Sequence, residues 1–98
     1  METRIQSLHF TANPELTAYV SEKVGHLEHL DKGKILSADV CLKLDNSSTG
    51  DNKVCEIRLH VPGNDFFAKS QSHSFEVATN HVVEALQHQI AKRKASQN

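Results

Sequence analysis

Two stretches of this chain alternate apolar and polar residues so regularly that they constrain most of the fold. The apolar sets are Ala38, Val40, Leu42 and Leu44 in residues 37–45, and Cys55, Ile57, Leu59 and Val61 in residues 53–61. Such alternation predicts strands with one face in a core and a mixed, solvated face opposite. The polar residues 46–52 between them predict a turn long enough to be mobile.

The two cysteines fall on opposite faces of this predicted strand pair. Cys55 belongs to the apolar set, whereas Cys41 has the other parity in its strand. A disulfide across an unbulged hairpin needs both side chains on one face. We therefore expect two reduced thiols, which is usual for a cytoplasmic protein.

The N-terminal third predicts a strand followed by a helix. Residues 3–10 predict the strand. In a regular strand Leu8 and Phe10 would face one side of the sheet and Ile5 the other, so a bulge or a two-sided strand is needed. Asn13-Pro14 combines a favoured N-cap with a favoured first helical residue. We expect the helix to run from there to Lys32-Gly33-Lys34. Its apolar stripe is Leu16, Tyr19, Val20, Val24, Leu27 and Leu30.

The C-terminal third predicts a short strand at residues 66–70 and a long helix capped by Ser72 or Ser74. The apolar stripe of that helix is Phe75, Ala78, Val82, Leu86 and Ile90. A helix that joins the first two strands normally makes them parallel, with a right-handed crossover. The predicted fold is therefore α+β, of order β-α-β-β-β-α, with a four-stranded mixed sheet and two helices packed on one face.

Length and charge limit the function further. The 98 residues predict a single domain, 1–98, with a disordered tail at its last few residues. The start of the chain does not resemble a signal peptide, and no apolar run approaches the roughly 20 residues that cross a bilayer. We expect a cytoplasmic protein. Eleven Lys and Arg against twelve Asp and Glu disfavour a protein that binds nucleic acid over its whole surface.

Cations are concentrated at the end of the last helix, in Lys92, Arg93 and Lys94. Two interpretations remain open for them. They can stabilise the negative end of the helix dipole. They can also join Lys23, Lys32, Lys34 and Lys69 in a surface that follows phosphates without reading sequence.

Other candidate chemistry is weaker. His26-x-x-His29 could hold a metal, but no obvious carboxylate or thiol completes a site, and solvated imidazoles are the simpler interpretation. Cys55 is predicted buried, where thiols are inert. Of Phe66 and Phe67, strand parity sends one ring inward and the other outward, where it could stack on a nucleobase or make a contact within the protein.

The chain resembles the ribosome hibernation promoting factor family, also called ribosome-associated translation inhibitors, in its short type. The resemblance covers nearly the whole chain and rests on the order and spacing of several segments. They are Ile5-Gln6-Ser7-Leu8-His9-Phe10, Leu16 to Leu27, Ala38-Asp39-Val40-Cys41-Leu42-Lys43-Leu44-Asp45-Asn46, Lys53-Val54-Cys55-Glu56-Ile57, Phe67-Ala68-Lys69, Ser74-Phe75-Glu76-Val77-Ala78 and Leu86 to Lys92.

The resemblance implies a protein that is not an enzyme and needs no cofactor. It implies binding to the small ribosomal subunit and its rRNA, in the channel used by messenger and transfer RNA, with initiation blocked sterically when growth slows under stress or in stationary phase. No membrane and no small-molecule substrate are implied. The matching RNA-binding positions are Lys23, Lys32, Lys69, Lys92, Arg93 and Lys94, with Lys43 and Arg58 as further candidates.

The chain departs from the family pattern in its histidines. His26, His29, His81, Gln87 and His88 stand where Lys and Arg are common, and Asn80 stands where an acidic residue is often found. We hypothesise that imidazole protonation strengthens RNA binding as the cytoplasm acidifies. Binding at constant ionic strength that fails to tighten between about pH 7.5 and pH 6 would contradict this hypothesis.

Two alternative functions compete with ribosome binding. A free-standing double-stranded RNA-binding module would bind any RNA duplex. A His-rich metal-binding protein would retain Zn²⁺ stoichiometrically and would lose it when His26 and His29 are changed to Ala.

Overall fold

The structure is a computed structural model that describes residues 1–46 and 50–96, and the side chain of Ser96 is outside this description. The elements are β1 (Glu2–Leu8), α1 (Pro14–Gly25), β2 (Ser37–Leu44), β3 (Lys53–His60), β4 (Phe66–Ser72) and α2 (Phe75–Ser96). The sheet order is β1-β2-β3-β4. β1 and β2 are parallel, whereas the other two pairs are antiparallel. The predicted order and mixed sheet are confirmed.

The core lies between one face of the sheet and the two helices. The alternating apolar sets of β2 and β3 face the helices, and Leu42, Cys55, Ile57 and Leu59 are fully buried. The predicted stripe of α2 is also buried, with Leu86 completely enclosed. We call the opposite face, which no helix covers, the outer face.

The predicted parity of the cysteines is confirmed. Cys55 is buried in the core, whereas Cys41 is half-buried on the outer face opposite Glu56. Both thiols are free.

The predicted extent of the first helix was wrong. Asn13 caps it as expected, because its side-chain oxygen accepts a hydrogen bond from the Leu16 amide at 2.8 Å. The helix ends at Gly25, however, and turns occupy the residues up to Gly33. His26 and His29 therefore lie after the helix, not on its neighbouring turns, and both are exposed.

Strand boundaries also differ from the prediction. β1 ends at Leu8, and His9 adopts a φ of 69°. That reversal directs Phe10 onto Phe75, with ring centroids 4.5 Å apart. Leu8 pairs with Lys43 on the outer face and Ile5 with Val40 on the core face, so β1 is the two-sided strand and needs no bulge. β2 and β3 each end one residue before the predicted limit, and β4 continues to Ser72.

Two further expectations concern the turn between β2 and β3 and the end of the chain. The mobility predicted for residues 46–52 falls partly on residues 47–49, outside the described residues. The predicted disordered tail falls on residues 97–98, which are also outside them. Of the two candidate caps for α2, Ser74 is the one used, since its hydroxyl accepts a hydrogen bond from the Val77 amide at 3.1 Å.

Candidate nucleic-acid interface

Both helices end at the same end of the molecule. β1, β2 and β4 point in one direction, and each helix follows one of these strands and returns against it. The Nζ of Lys94, near the end of α2, donates a hydrogen bond at 3.1 Å to the carbonyl of Leu30, which follows α1. We call the cations gathered here the basic end: Lys23, Lys32, Lys34, Lys92, Arg93 and Lys94.

A tight chain reversal brings two of these lysines to the basic end. Lys32 and Gly33 have φ values of 55° and 75°, so the chain turns sharply before it enters β2. The Lys34 amide donates to the Asp31 carbonyl at 3.0 Å, which closes the turn. Lys32 and Lys34 are both exposed.

The other cations of the basic end are held by contacts within the protein. The Arg93 guanidinium lies 3.6 Å from the ring centroid of Phe66, and the Lys23 ammonium lies 5.4 Å from that of Tyr19. A stacked guanidinium keeps its N–H groups in the plane of the fork, where they can meet a phosphate. These contacts therefore orient the cations and leave hydrogen-bond donors for an anion.

Helix dipoles contribute to the field at this end. Each helix C-terminus carries roughly −0.5 of an elementary charge. Because α1 and α2 end together, part of the positive charge of Lys92, Arg93 and Lys94 offsets these dipoles. Both interpretations of the terminal cations, dipole stabilisation and a phosphate surface, therefore draw on the same residues.

Three of the eight predicted RNA-binding residues are not at the basic end. Lys43, Arg58 and Lys69 lie on the outer face, on β2, β3 and β4 respectively. The carboxylate of Glu56 lies 2.9 Å from the Lys43 ammonium and 3.8 Å from that of Lys69. Glu56 also raises the pKa of Lys43 through this hydrogen bond and its charge. The predicted cations thus form two groups on different faces.

A network of ion pairs, which the sequence did not predict, fastens β1 to β2 and β3. Asp39 accepts a hydrogen bond from Arg4 at 2.5 Å and lies 2.7 Å from the Nε2 of His60. The hydrogen bonds from Arg4 and His60 lower the pKa of Asp39 to about 2. Asp65 lies 3.1 Å from the other ring nitrogen of His60. The position of Arg4 on the outer face could have been predicted, because Arg4 alternates along β1 with the polar residues Glu2 and Gln6.

The described side chains do not assemble a metal centre, and both thiols have raised pKa values. Burial raises the pKa of the Cys55 thiol to about 11, and burial raises that of Cys41 as well. No three His, Cys, Asp or Glu side chains lie close enough together to hold a metal, within residues 1–46 and 50–96. In the same ranges, neither helix is long and apolar enough to span a bilayer.

The structure is a small α+β domain with cations gathered at one end, and its described part holds no metal-ligating cluster. Comparison with known families identifies the family of this chain. Residues 3–98 match the family described as sigma 54 modulation protein / S30EA ribosomal protein. The chain therefore belongs to that family, which confirms the predicted resemblance to hibernation promoting factors. The family is one of ribosome-associated factors and is not known as an enzyme family.

Solved structures share the fold. A ribosomal subunit interface protein from Coxiella burnetii has a TM-score of 0.85 at 16% identity, over 97% of this chain and 99% of that one. The N-terminal domain of Protein Y from Thermus thermophilus has a TM-score of 0.76 at 21% identity, over 94% of this chain and 98% of that one. No curated protein sequence matches the chain significantly.

Proposed function

We propose that this protein binds the small ribosomal subunit in the channel used by messenger and transfer RNA, and that it inhibits initiation by occupying that channel. It acts without a cofactor and without catalysis. The observation that carries the proposal is the convergence of both helix ends into one basic end, in a chain that belongs to a ribosome-associated family.

The charge distribution supports a directional contact with RNA. The basic end brings Lys92, Arg93 and Lys94 beside the turn that carries Lys32 and Lys34. The opposite end of the sheet carries Asp45 and Asp51, on either side of the turn between β2 and β3. A net charge of −1 is therefore compatible with RNA binding, because the positive charge is concentrated where phosphates would be met.

The mechanism is steric. Phosphate contacts position a protein on folded RNA without reading its sequence. A compact domain held in this way excludes other ligands from the channel by its volume. The same contacts explain why the protein needs neither a nucleophile nor a metal.

Co-sedimentation with purified small subunits tests the proposal. The variant Lys32→Gln/Lys92→Gln removes charge from two exposed side chains of the basic end, whereas Arg93 and Lys94 keep their contacts with Phe66 and Leu30. The matched control, Thr11→Glu/Asn46→Glu, lowers the net charge equally at exposed positions away from the basic end.

We expect wild type and control to pellet with the subunit at moderate salt and the Lys32→Gln/Lys92→Gln variant to pellet poorly. Equal loss in both variants would show that only net charge matters and would contradict the basic end as the contact. Excess free RNA duplex should not displace the wild type. Displacement by duplex would instead support the alternative of a double-stranded RNA-binding module.

A further inference from the structure

The outer face of the sheet carries an aromatic platform that the basic end does not include. Arg4, Asp39, Arg58 and Phe67 follow one another across the four strands in one row. Phe67 is 40% exposed. Strand parity placed its ring outward, and Phe66, its neighbour, is buried beneath Arg93.

Arg58, the cross-strand neighbour of Phe67, contacts its aromatic ring. The Arg58 guanidinium lies 4.9 Å from the Phe67 ring centroid, so a cation and an aromatic surface are presented together. A shallow depression of about 250 Å³ lies beside them, bounded by Gln6, Glu56, Arg58 and Phe67 among others. A cavity of about 150 Å³ is enough for benzene in a protein, so this depression has room for a single nucleobase.

The acids in the depression are already paired with cations. Asp39 is bound by Arg4 and His60, and Glu56 is bound by Lys43 and Lys69. Their charge therefore repels a nearby phosphate less than the bare carboxylates would. Two exposed cations flank the ring of Phe67. Arg58 lies on the neighbouring strand β3, and Lys69 lies on β4 itself.

The platform is continuous with the basic end around the edge of the sheet. The Gln89 side chain on α2 donates to the Phe67 carbonyl at 2.8 Å. One turn further along α2, Arg93 covers Phe66. An RNA strand that leaves the basic end can therefore pass the edge of β4 and reach Phe67 without crossing the acidic end of the sheet.

We propose that Phe67 and Arg58 form a stacking site for one unpaired nucleotide of ribosomal RNA, with the flanking phosphates on Arg58 and Lys69. Base stacking on aromatic and guanidinium planes is how proteins hold single-stranded RNA, and it tolerates any base. The site rests on the proposed function and deepens it, because it adds a single-stranded contact on a second face.

Phe67→Leu tests the site, since it keeps an apolar side chain and removes the ring. Phe67→Tyr restores a ring, and Leu36→Ala changes the other large apolar side chain that is exposed in the described residues, at 63%. Each variant is measured for affinity to purified small subunits. Each is also titrated against a single-stranded RNA of about eight nucleotides that contains 2-aminopurine, whose fluorescence is quenched on stacking.

We expect Phe67→Leu to weaken both affinities by about 5- to 150-fold and to abolish the quenching, the range that corresponds to loss of one base–aromatic stack. Phe67→Tyr and Leu36→Ala should behave as wild type. Unchanged subunit affinity in Phe67→Leu would overturn the ribosomal RNA site, even if binding to the short RNA falls. If wild type does not bind the subunit at all, the proposed function itself is wrong, and the ribosomal source of the nucleotide is wrong with it.

Discussion

The salt dependence of subunit binding should report how many cations of the basic end meet phosphates. Each phosphate neutralised by a protein cation contributes about −0.9 to the slope of log K against log salt concentration on a duplex. If all six cations of the basic end meet phosphates, the slope is about −5.4. Affinity should then fall about 2,000-fold between about 50 and 200 mM salt.

The Lys32→Gln/Lys92→Gln variant removes two of these contacts. Its slope should be shallower by about 1.8 units, so that its affinity falls only about 150-fold over the same range. Lys32 and Lys92 are both exposed, which makes a change in the fold small compared with this effect. The measurement is a filter-binding or fluorescence titration against purified small subunits at several salt concentrations.

Three results would contradict this account of the salt dependence. A slope that is identical in wild type and variant would mean that neither lysine meets a phosphate. A slope that is equally reduced in Thr11→Glu/Asn46→Glu would mean that the field of the whole protein, not local contacts, sets the salt dependence. A wild-type slope well below the expected value would show that contacts with Phe66, Tyr19 and Leu30 withhold Arg93, Lys23 and Lys94 from the RNA.

Three further predictions concern stability and reactivity. Leu86→Ala should destabilise the fold by about 2–5 kcal/mol in urea unfolding, because Leu86 is fully buried, whereas Leu36→Ala at an exposed site should cost less than about 0.5 kcal/mol. Asp39→Asn should lower the melting temperature at neutral pH, since ion pairs hold the pKa of Asp39 at about 2, below its usual value near 4. The carboxylate stabilises the fold above that usual value and loses this effect as pH falls through about 2, where the two melting temperatures should meet. The difference at neutral pH should stay below about 1 kcal/mol because the side chain is 43% exposed, and a difference that persists at the lowest pH would contradict the assignment. In thiol labelling, Cys41 should react in the native protein and Cys55 only after unfolding; rapid reaction of Cys55 would contradict its burial.

Alternation and capping signals predicted most of this fold correctly. The strands β2 and β3 alternate except at Val54, which is buried although it lies on the outer face, so parity alone placed Cys55 inside and Cys41 outside. Asn13 marked the start of α1 because its side chain satisfies a backbone amide that the helix leaves free.

The end of α1 could not be predicted from apolar spacing. After Gly25 the chain continues in turns with i→i+3 hydrogen bonds, such as Leu27 to Val24 and Leu30 to Leu27. Such turns align every third side chain. Val24, Leu27 and Leu30 therefore keep facing the core at a spacing that also fits a helix, although the helix has ended.

The sequence predicted which residues belong to the candidate site but not how their side chains are arranged. Strand parity places Lys43 and Arg58 on the outer face. The ion pairs of Glu56 with Lys43 and Lys69 depend on side-chain conformations, and so does the stacking of Arg93 on Phe66. No sequence signal specifies those conformations, so the division of the cations between two faces and their orientation came only from the structure.

The parallel pairing of β1 with β2 has a consequence for how the chain reaches its fold. About 28 residues separate the two strands, so bringing them together costs about 3 kcal/mol of loop entropy, compared with about 2 kcal/mol for the short connection between β2 and β3. The hairpin of β2 and β3 can thus form early, while β1 has no partner until residues 37–44 have been synthesised. β1 therefore waits longer for its partner strand than β2 does, because β3 follows β2 after only a short connection.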